Sequence, residues 1–156
     1  MKALIIYCSE YRNNTEKIAR IFAEKTRCEL MNIKDVQDIN TGNYNLIGFG
    51  SGVYRESLSL KLFRLVERLN LKDKNVFVFS TSGVGMKFYN WSLIKLLKSK
   101  GAIIKGSFAC KGSFDAKEFT QKKIFDIMGR LSKGHPNEKD IEKAQRFIMK
   151  LADCMF

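Results

Sequence analysis

Several features are scarce in this sequence of 156 residues, and each scarcity excludes a class of protein. No apolar run approaches the roughly 20 residues that a helix needs to cross a bilayer, and the first residues lack the basic, apolar and small-residue order of a secretory signal. A single proline accompanies 45% hydrophobic and 28% charged residues, a balance typical of a globular domain. We therefore expect one cytoplasmic domain over residues 1–156, without membrane insertion.

Residues with metal-binding or nucleophilic chemistry are also few and poorly grouped. The four cysteines show no C-x-x-C spacing, so neither a disulfide framework nor a zinc site is predicted. The only histidine, His135, lies in a Gly-His-Pro turn, where a capping or solvated role is favoured over catalysis. No general acid, nucleophile or metal constellation is evident, and we predict no catalytic residue and no metal site.

Two common nucleotide-binding signatures are missing from the sequence. It contains neither G-x-x-x-x-G-K-[ST] nor G-x-G-x-x-G. The first of these cradles the phosphates of a nucleoside triphosphate, and the second holds the pyrophosphate of a dinucleotide. The sequence therefore does not favour a nucleoside triphosphatase or a dinucleotide-dependent dehydrogenase.

Acidic residues are outnumbered, with 16 Asp and Glu against 28 Lys and Arg, which gives a formal net charge of +12. The excess is uneven, because residues 1–70 carry 11 Lys and Arg against 8 Asp and Glu, whereas residues 71–156 carry 17 against 8. A surface of this sign either attracts an acidic partner or polyanion, or serves solubility alone. Composition leaves both alternatives open.

Short apolar runs alternate with helical stripes along the chain. Continuous apolar runs are typical of buried parallel strands, and spacings of three and four residues are typical of helices. Five strands separated by helices predict a parallel sheet covered on both faces, in a three-layer doubly wound α/β domain of strand order 2-1-3-4-5. The predicted strands are Lys2–Tyr7, Leu30–Ile33, Leu46–Gly50, Asn75–Ser80 and Ile103–Ala109.

Local signals mark several helix boundaries. A continuous apolar face over 58–69 predicts one helix, and Gly101 is a good stop for another that precedes it. The last helix is predicted to begin after Asn137 as N-cap, with Asp140 three residues further on. Residues 116–133 repeat apolar residues at helical spacing, and we expect a short amphipathic helix over the carboxyl ends of the strands or the sheet edge.

The polar loop after the first strand is the most informative segment. Ligands of doubly wound sheets bind outside the carboxyl ends of the strands. The loop Ser9–Thr15 gathers hydroxyl and amide side chains at a helix start, where free N–H groups and the helix dipole favour an anion. The loop therefore predicts a phosphate cradle. In the alternative interpretation, Asn14 or Thr15 merely caps the helix.

Two further segments at strand ends combine small residues with aromatic ones. Gly50–Tyr54 follows the third strand, and Ser80–Trp91 follows the fourth. Glycines let the backbone approach a ligand closely, and Tyr54 offers a flat face with a polar tip. Phe88 is a second candidate for a ring contact, whereas Trp91 is expected in the core. A ligand that carries a phosphate and a flat ring fits all three segments.

These segments resemble the flavodoxin family from end to end. The matching stretches are IIYCSEYRNNTEKIA, IGFGSGVY, VFVFSTSG and FACKGSF, with KGHPNEKDIEKA in one flavodoxin-like branch. The resemblance implies a non-covalent FMN, with its phosphate on the first loop and its ring between the other two. The implied cofactor-binding residues are Ser9, Tyr11, Arg12, Asn13, Asn14, Thr15, Ser51, Gly52, Val53, Tyr54, Thr81, Ser82, Gly83 and Phe88.

Three departures from the family pattern stand out. Asn13 replaces a glycine, and asparagine tolerates a left-handed backbone better than most residues do. Arg12 lies in a loop that usually holds phosphate without a countercharge, so it either binds the phosphate or points outward. Flavodoxins that shuttle electrons are commonly acidic, whereas this chain is strongly basic.

The resemblance implies an electron carrier, rather than a stand-alone oxidoreductase, that passes electrons singly between redox partners. The charge leads us to expect acidic redox proteins as partners, and not nucleic acid, for a monomer or weak dimer. One alternative is a flavin-dependent reductase or oxidase of a quinone or other bulky substrate. Another is a binding module that keeps the fold without the flavin.

Overall fold

Parallel strands and α-helices form most of the part of the chain that the computed structural model describes, which is residues 2–10, 13–36, 38–113 and 133–155. Short 3-10 turns lie at Ile33–Asp35, Thr41–Asn43 and Lys87–Asn90. The regular elements are β1 (Ala3–Cys8), α1 (Asn14–Thr26), β2 (Glu29–Asn32), β3 (Leu46–Tyr54), β4 (Ser57–Leu58), α2 (Leu60–Arg68), β5 (Asn75–Ser82), α3 (Trp91–Ser99), β6 (Ile103–Lys111) and α4 (Glu138–Asp153).

The strands pair side by side in the order β2-β1-β3-β5-β6, and each of these pairings is parallel. The two-residue strand β4 lies off this path and pairs antiparallel with the end of β3. When only the parallel strands are counted, the order is the predicted 2-1-3-4-5. The predicted doubly wound, flavodoxin-like sheet is therefore confirmed, with a small hairpin that was not predicted.

Successive side chains of the central strands enter two separate cores. Leu4 and Ile6 of β1 pack in the core that α2 and α3 cover. Ile5 and Tyr7, which alternate with them, pack in the core that α1 and α4 cover. This follows from the period of two along a strand, and it explains why a strand buried on both faces reads as a continuous apolar run.

Phenylalanines fill the core beneath α1 and α4. Phe22 contacts the ring of Phe79 edge to face, with ring centroids 5.0 Å apart. The ring of Phe79 lies directly over Gly50 of the neighbouring strand, where a Cβ atom would be 2.0 Å from Phe79 Cζ. Glycine is required at this position because the aromatic ring occupies the space of a side chain.

The carboxyl ends of the strands extend further than predicted. Gly52 pairs with Thr81, and Val53 pairs with Leu58 of the hairpin. These pairings continue β3 to Tyr54 and β5 to Ser82. Ser51–Tyr54, Thr81 and Ser82 were therefore wrongly assigned to loops, because pairing with β5 and β6 and with the adjacent hairpin strand decides where these strands end.

The helix boundaries agree with the sequence-based predictions better than the strand ends do. Asn137 and Asp140 form a capping box at the start of α4, as predicted. The predicted helix over 58–69 is shorter, because Leu58 lies in β4 and Ser59 is the N-cap of α2. The helix predicted over 116–133 lies outside the described residues, except for Lys133. None of the described helices has the length and apolar content required to cross a membrane.

Candidate functional site

The loop between β1 and α1 presents the start of a helix that its own N-cap leaves open. Asn13 adopts the left-handed conformation, with φ 54° and ψ 28°, at the position where it replaces the family's glycine. Its side chain makes no capping hydrogen bond. Because the first N–H groups of a helix have no intrahelical acceptor, the N-terminus of α1 remains able to bind an anion.

Asn14 is held by the segment that follows β6. Its Nδ2 donates to the backbone oxygen of Ser113, 2.7 Å away and 99 residues along the chain. Gly112 makes room for this side chain, since a Cβ there would lie 2.8 Å from Asn14 Nδ2. Asn14 is only 7% exposed, and its Oδ1 accepts no hydrogen bond from any described residue. Because a buried acceptor without a hydrogen-bond partner destabilises the folded state, a ligand that donates to this oxygen would be stabilised here.

Three hydroxyl groups lie around the same helix start. Thr15 Oγ1 lies 2.8 Å from Thr81 Oγ1 of β5, and both side chains are buried. Ser9 Oγ accepts a long hydrogen bond of 3.4 Å from the N–H of Glu16 in the first turn of α1. The ends of β1 and β5 and the start of α1 therefore meet at one edge of the sheet, as the sequence predicted.

Tyr54 links the β3–β4 hairpin to this loop. Its hydroxyl accepts a hydrogen bond of 3.0 Å from the N–H of Glu10. Its ring folds back over Gly52, where a Cβ atom would lie 2.7 Å from the Tyr54 hydroxyl oxygen. Glu10 in turn pairs with Lys61 at 2.9 Å. This ion pair offsets a negative charge that would otherwise disfavour an anion beside the helix start.

Most of the remaining predicted contacts lie at the end of β5 and in the segment that follows it. Ser82 Oγ accepts from the N–H of Gly85 at 2.8 Å, which closes the turn that contains Gly83. Phe88 is partly exposed, and its ring centroid lies 4.1 Å from that of Tyr89. Among the other residues, the hydroxyl of Ser51 is fully engaged in the hairpin, where it donates to Gly52 and accepts from Ser59.

Trp91 does not lie in the core, and the sequence prediction for it was wrong. Its side chain is 69% exposed at the first position of α3. Leu93 and Leu97 define the buried face of this helix. Trp91 precedes Leu93 by two residues, a rotation of about 200° around the helix axis, so it points away from the core.

Cys8 at the end of β1 is not an activated thiol. Burial is the main cause that raises its pKa, and the charge of Glu10 adds to the effect. Because thiolates are the reactive form, this cysteine is a packing residue beside the loop.

Sequence reasoning found one part of the site and missed another. The predicted residues Ser9, Asn13, Asn14, Thr15 and Thr81 come together, whereas Tyr11 and Arg12 lie outside the described residues. The partners that hold them were missed, because contacts between residues so far apart leave no signal in a single sequence. The missed partners are Gly112 and Ser113, which contact Asn14, and Lys61, which pairs with Glu10 of the loop.

Comparison with known proteins agrees with this architecture. The flavodoxin domain family matches residues 4–139. An uncharacterised protein of Methanocaldococcus jannaschii is 40% identical over 149 residues, which cover 94% of this chain and 95% of the relative.

Two solved structures share the fold. A flavodoxin from the domain Archaea superposes with a TM-score of 0.73 and 14% identity, covering 99% of both chains. A flavoprotein of Lactobacillus acidophilus, solved in complex with FMN, gives a TM-score of 0.58 and 20% identity over 68% of this chain and 91% of that chain. With the family match spanning most of its length, this chain belongs to the flavodoxin domain family.

Proposed function

We propose that the protein binds FMN non-covalently and transfers electrons between redox proteins. The observation that carries the proposal is the buried Oδ1 of Asn14, which has no hydrogen-bond partner among the described residues and lies beside the open start of α1. The helix start favours an anion, whereas a carbonyl oxygen requires a donor. A phosphate dianion alone satisfies only the first demand. FMN satisfies both, because its phosphate is joined to a ribityl chain with hydroxyl donors.

The residues present fit FMN in a simple division of roles. Ser9, Asn13 and Thr15 would hold the phosphate with N–H and hydroxyl donors, and Asn14 Oδ1 would accept from a ribityl hydroxyl. Bound FMN supplies the electron-transfer chemistry, and the chain supplies binding, orientation and local field. The proposed ring contacts are Ser51, Gly52, Val53, Tyr54, Thr81, Ser82, Gly83 and Phe88, and the sequence adds Tyr11 and Arg12 to the loop.

The net charge supports acidic redox proteins as partners. Complementary charge accelerates the encounter of two proteins and suppresses wrong partners. A chain with 28 Lys and Arg against 16 Asp and Glu attracts carriers of opposite sign. A flavodoxin-like protein of this sign is therefore suited to different carriers from those of the commonly acidic members of the family.

Titration of the apoprotein with three flavins tests the cofactor proposal. FMN has ring, ribityl chain and phosphate, riboflavin lacks the phosphate, and lumiflavin lacks the ribityl chain as well. We expect FMN to bind about 100-fold more tightly than riboflavin, because charge-assisted hydrogen bonds to the phosphate are lost. Riboflavin should bind about 10-fold more tightly than lumiflavin, because one buried hydrogen bond is lost.

An Asn14→Ala variant separates the two contributions. It should abolish most of the preference for riboflavin over lumiflavin and leave the preference for FMN over riboflavin in place. Asn40→Ala is the matched control, since Asn40 caps a 3-10 turn at the other end of β3. Equal affinities for FMN and riboflavin would refute the cradle. A protein that takes up no flavin would favour the flavin-free binding module.

A further inference from the structure

The positive charge of the helices is concentrated on one face of the sheet. Helices α2 and α3, which cover the core containing Leu4 and Ile6, carry five Lys and Arg against one Glu, a net charge of +4. Helices α1 and α4 on the opposite face carry seven Lys and Arg against six Asp and Glu, a net charge of +1. The asymmetry follows the fold rather than the two halves of the chain.

The cations of α2 and α3 are exposed and mostly unpaired. Only Lys61 has a carboxylate within 4.0 Å among the described residues, namely that of Glu10. The other four exposed cations of the two helices, Arg64, Arg68, Lys95 and Lys98, form no ion pair with any described residue. Like charges gathered on one surface repel one another, and an acidic partner relieves that repulsion.

Large apolar side chains are exposed at the start of the same two helices. Leu60 begins α2 and is 64% exposed, and Trp91 begins α3 and is 69% exposed. The helices pack against each other, and the segment Lys87–Asn90 contacts β4 just before Leu60. Of the six large apolar side chains exposed in the described residues, four lie here, at Leu60, Met86, Phe88 and Trp91.

Charged and apolar residues adjoin at this edge. Arg64 follows Leu60 by four residues, and Lys95 follows Trp91 by four, so each cation lies one helical turn from an exposed apolar side chain. An apolar centre with a charged rim is the usual anatomy of a protein interface, and Trp and Arg are enriched among its energetically important residues. Both helices begin at the same edge of the sheet as the phosphate cradle formed by Ser9–Thr15.

We infer that an acidic electron-transfer protein docks on this helix-start surface, defined by Leu60, Trp91, Arg64 and Lys95. The inference rests on the proposed function, because electron transfer requires the partner to approach the flavin edge. Carboxylates around the exposed cofactor of the partner meet the cations. Leu60 and Trp91 supply the desolvated centre of the contact.

The test measures the rate at which a reduced plant-type [2Fe–2S] ferredoxin, an acidic carrier, reduces the oxidised holoprotein in a stopped-flow instrument. Two double variants change the net charge equally on opposite faces. Arg64→Glu with Lys95→Glu alters the helix-start surface, and Lys143→Glu with Arg146→Glu alters α4, where both residues are exposed. Far-ultraviolet circular dichroism and FMN affinity establish that each variant folds.

We expect the wild-type rate to fall about 10-fold as ionic strength rises from roughly 0.02 M to 0.3 M, because salt screens the encounter. The helix-start variant should lose about 10-fold in rate at low salt and most of its salt dependence, whereas the α4 variant should change less than about twofold. Trp91→Ala should slow the reaction at high salt as well. In the opposite direction, the reduced holoprotein should pass an electron to oxidised cytochrome c, a basic carrier, at a rate that does not fall as ionic strength rises.

Three outcomes overturn the inference. Equal slowing in both double variants would show that net charge alone matters. The same salt dependence with the acidic and basic carriers would remove the charge argument. Binding to anionic vesicles or DNA that depends on Arg64 and Lys95, with an unchanged ferredoxin rate, would assign the surface to another partner. Calorimetric titration of the flavin-free protein with ferredoxin tests docking without the cofactor, so failure of FMN uptake is a separate result.

Discussion

The hydroxyl pair of Thr15 and Thr81 permits a sharp test of how the cradle is built. The two oxygens are 2.8 Å apart, and the side chains are 1% and 5% exposed, respectively. Two hydroxyls carry two hydrogens, and only one of them lies between the oxygens. The other is available to a ligand. The pair therefore joins α1 to β5 and can still donate one hydrogen bond to the phosphate of FMN.

Valine has nearly the shape of threonine without the hydroxyl, so it isolates the polar contribution. Thr15→Val leaves the Thr81 hydroxyl buried without its partner, at a cost of about 1–3 kcal/mol in the free energy of unfolding. Thr81→Val has the reciprocal effect of similar size. The double variant removes both polar groups, so its cost should be smaller than the sum by about 1 kcal/mol or more.

Urea unfolding of the apoprotein, followed by circular dichroism, measures these differences. The slope of free energy against urea should remain constant across the variants, and the midpoint should move. Thr26→Val is the control, since Thr26 donates to the Phe22 carbonyl near the end of α1, away from the cradle. Strictly additive costs for Thr15→Val and Thr81→Val would refute a direct hydrogen bond between the two hydroxyls.

The affinity of the same variants for flavins tests the role of this hydroxyl pair in binding. Thr15→Val should weaken FMN binding about 10-fold, equivalent to ~1.4 kcal/mol, because the phosphate loses one donor. Riboflavin affinity should change much less. The Thr26→Val control should lower stability without altering the affinity for either flavin. A parallel loss of FMN and riboflavin affinity in the Thr15 variant would assign the effect to a displaced helix rather than to the phosphate.

Three further predictions concern the core, the thiols and the hairpin. Gly50→Ala should lower the unfolding free energy by about 1–3 kcal/mol or more, measured by urea denaturation, because its Cβ would lie 2.0 Å from Phe79 Cζ. Burial raises the pKa of the Cys110 thiol, so the folded state resists its ionisation and stability should decline as pH rises above the unfolded value of 9.0. Cys110 should react with a thiol reagent only on unfolding, and exposed Cys154 at once; equal rates would contradict the burial. Tyr54→Phe removes the acceptor for the Glu10 N–H but keeps the ring, so FMN fluorescence quenching should persist while affinity falls, and a large gain in fluorescence would contradict this.

The sequence alone determined the features that depend on near neighbours. The three central strands could be predicted because their continuous apolar runs are buried on both faces, whereas the edge strands β2 and β6 are only partly buried. The capping box of Asn137 and Asp140 could be predicted because its hydrogen bonds span three residues. The left-handed backbone at Asn13 agrees with the resemblance to a family that has glycine there, since asparagine tolerates this conformation better than most residues do.

Features that depend on distant partners required the tertiary structure. The extension of β3 to Gly52 depends on pairing with Thr81 of β5, and the anchoring of Asn14 depends on Ser113, 99 residues away. Trp91 is exposed because Leu93 and Leu97 occupy the inner face of α3. The charge of the chain was known from composition, but its concentration on α2 and α3 depends on which helices share a face of the sheet. The strand order was predicted from the sequence, but the individual side-chain contacts between residues far apart along the chain were not.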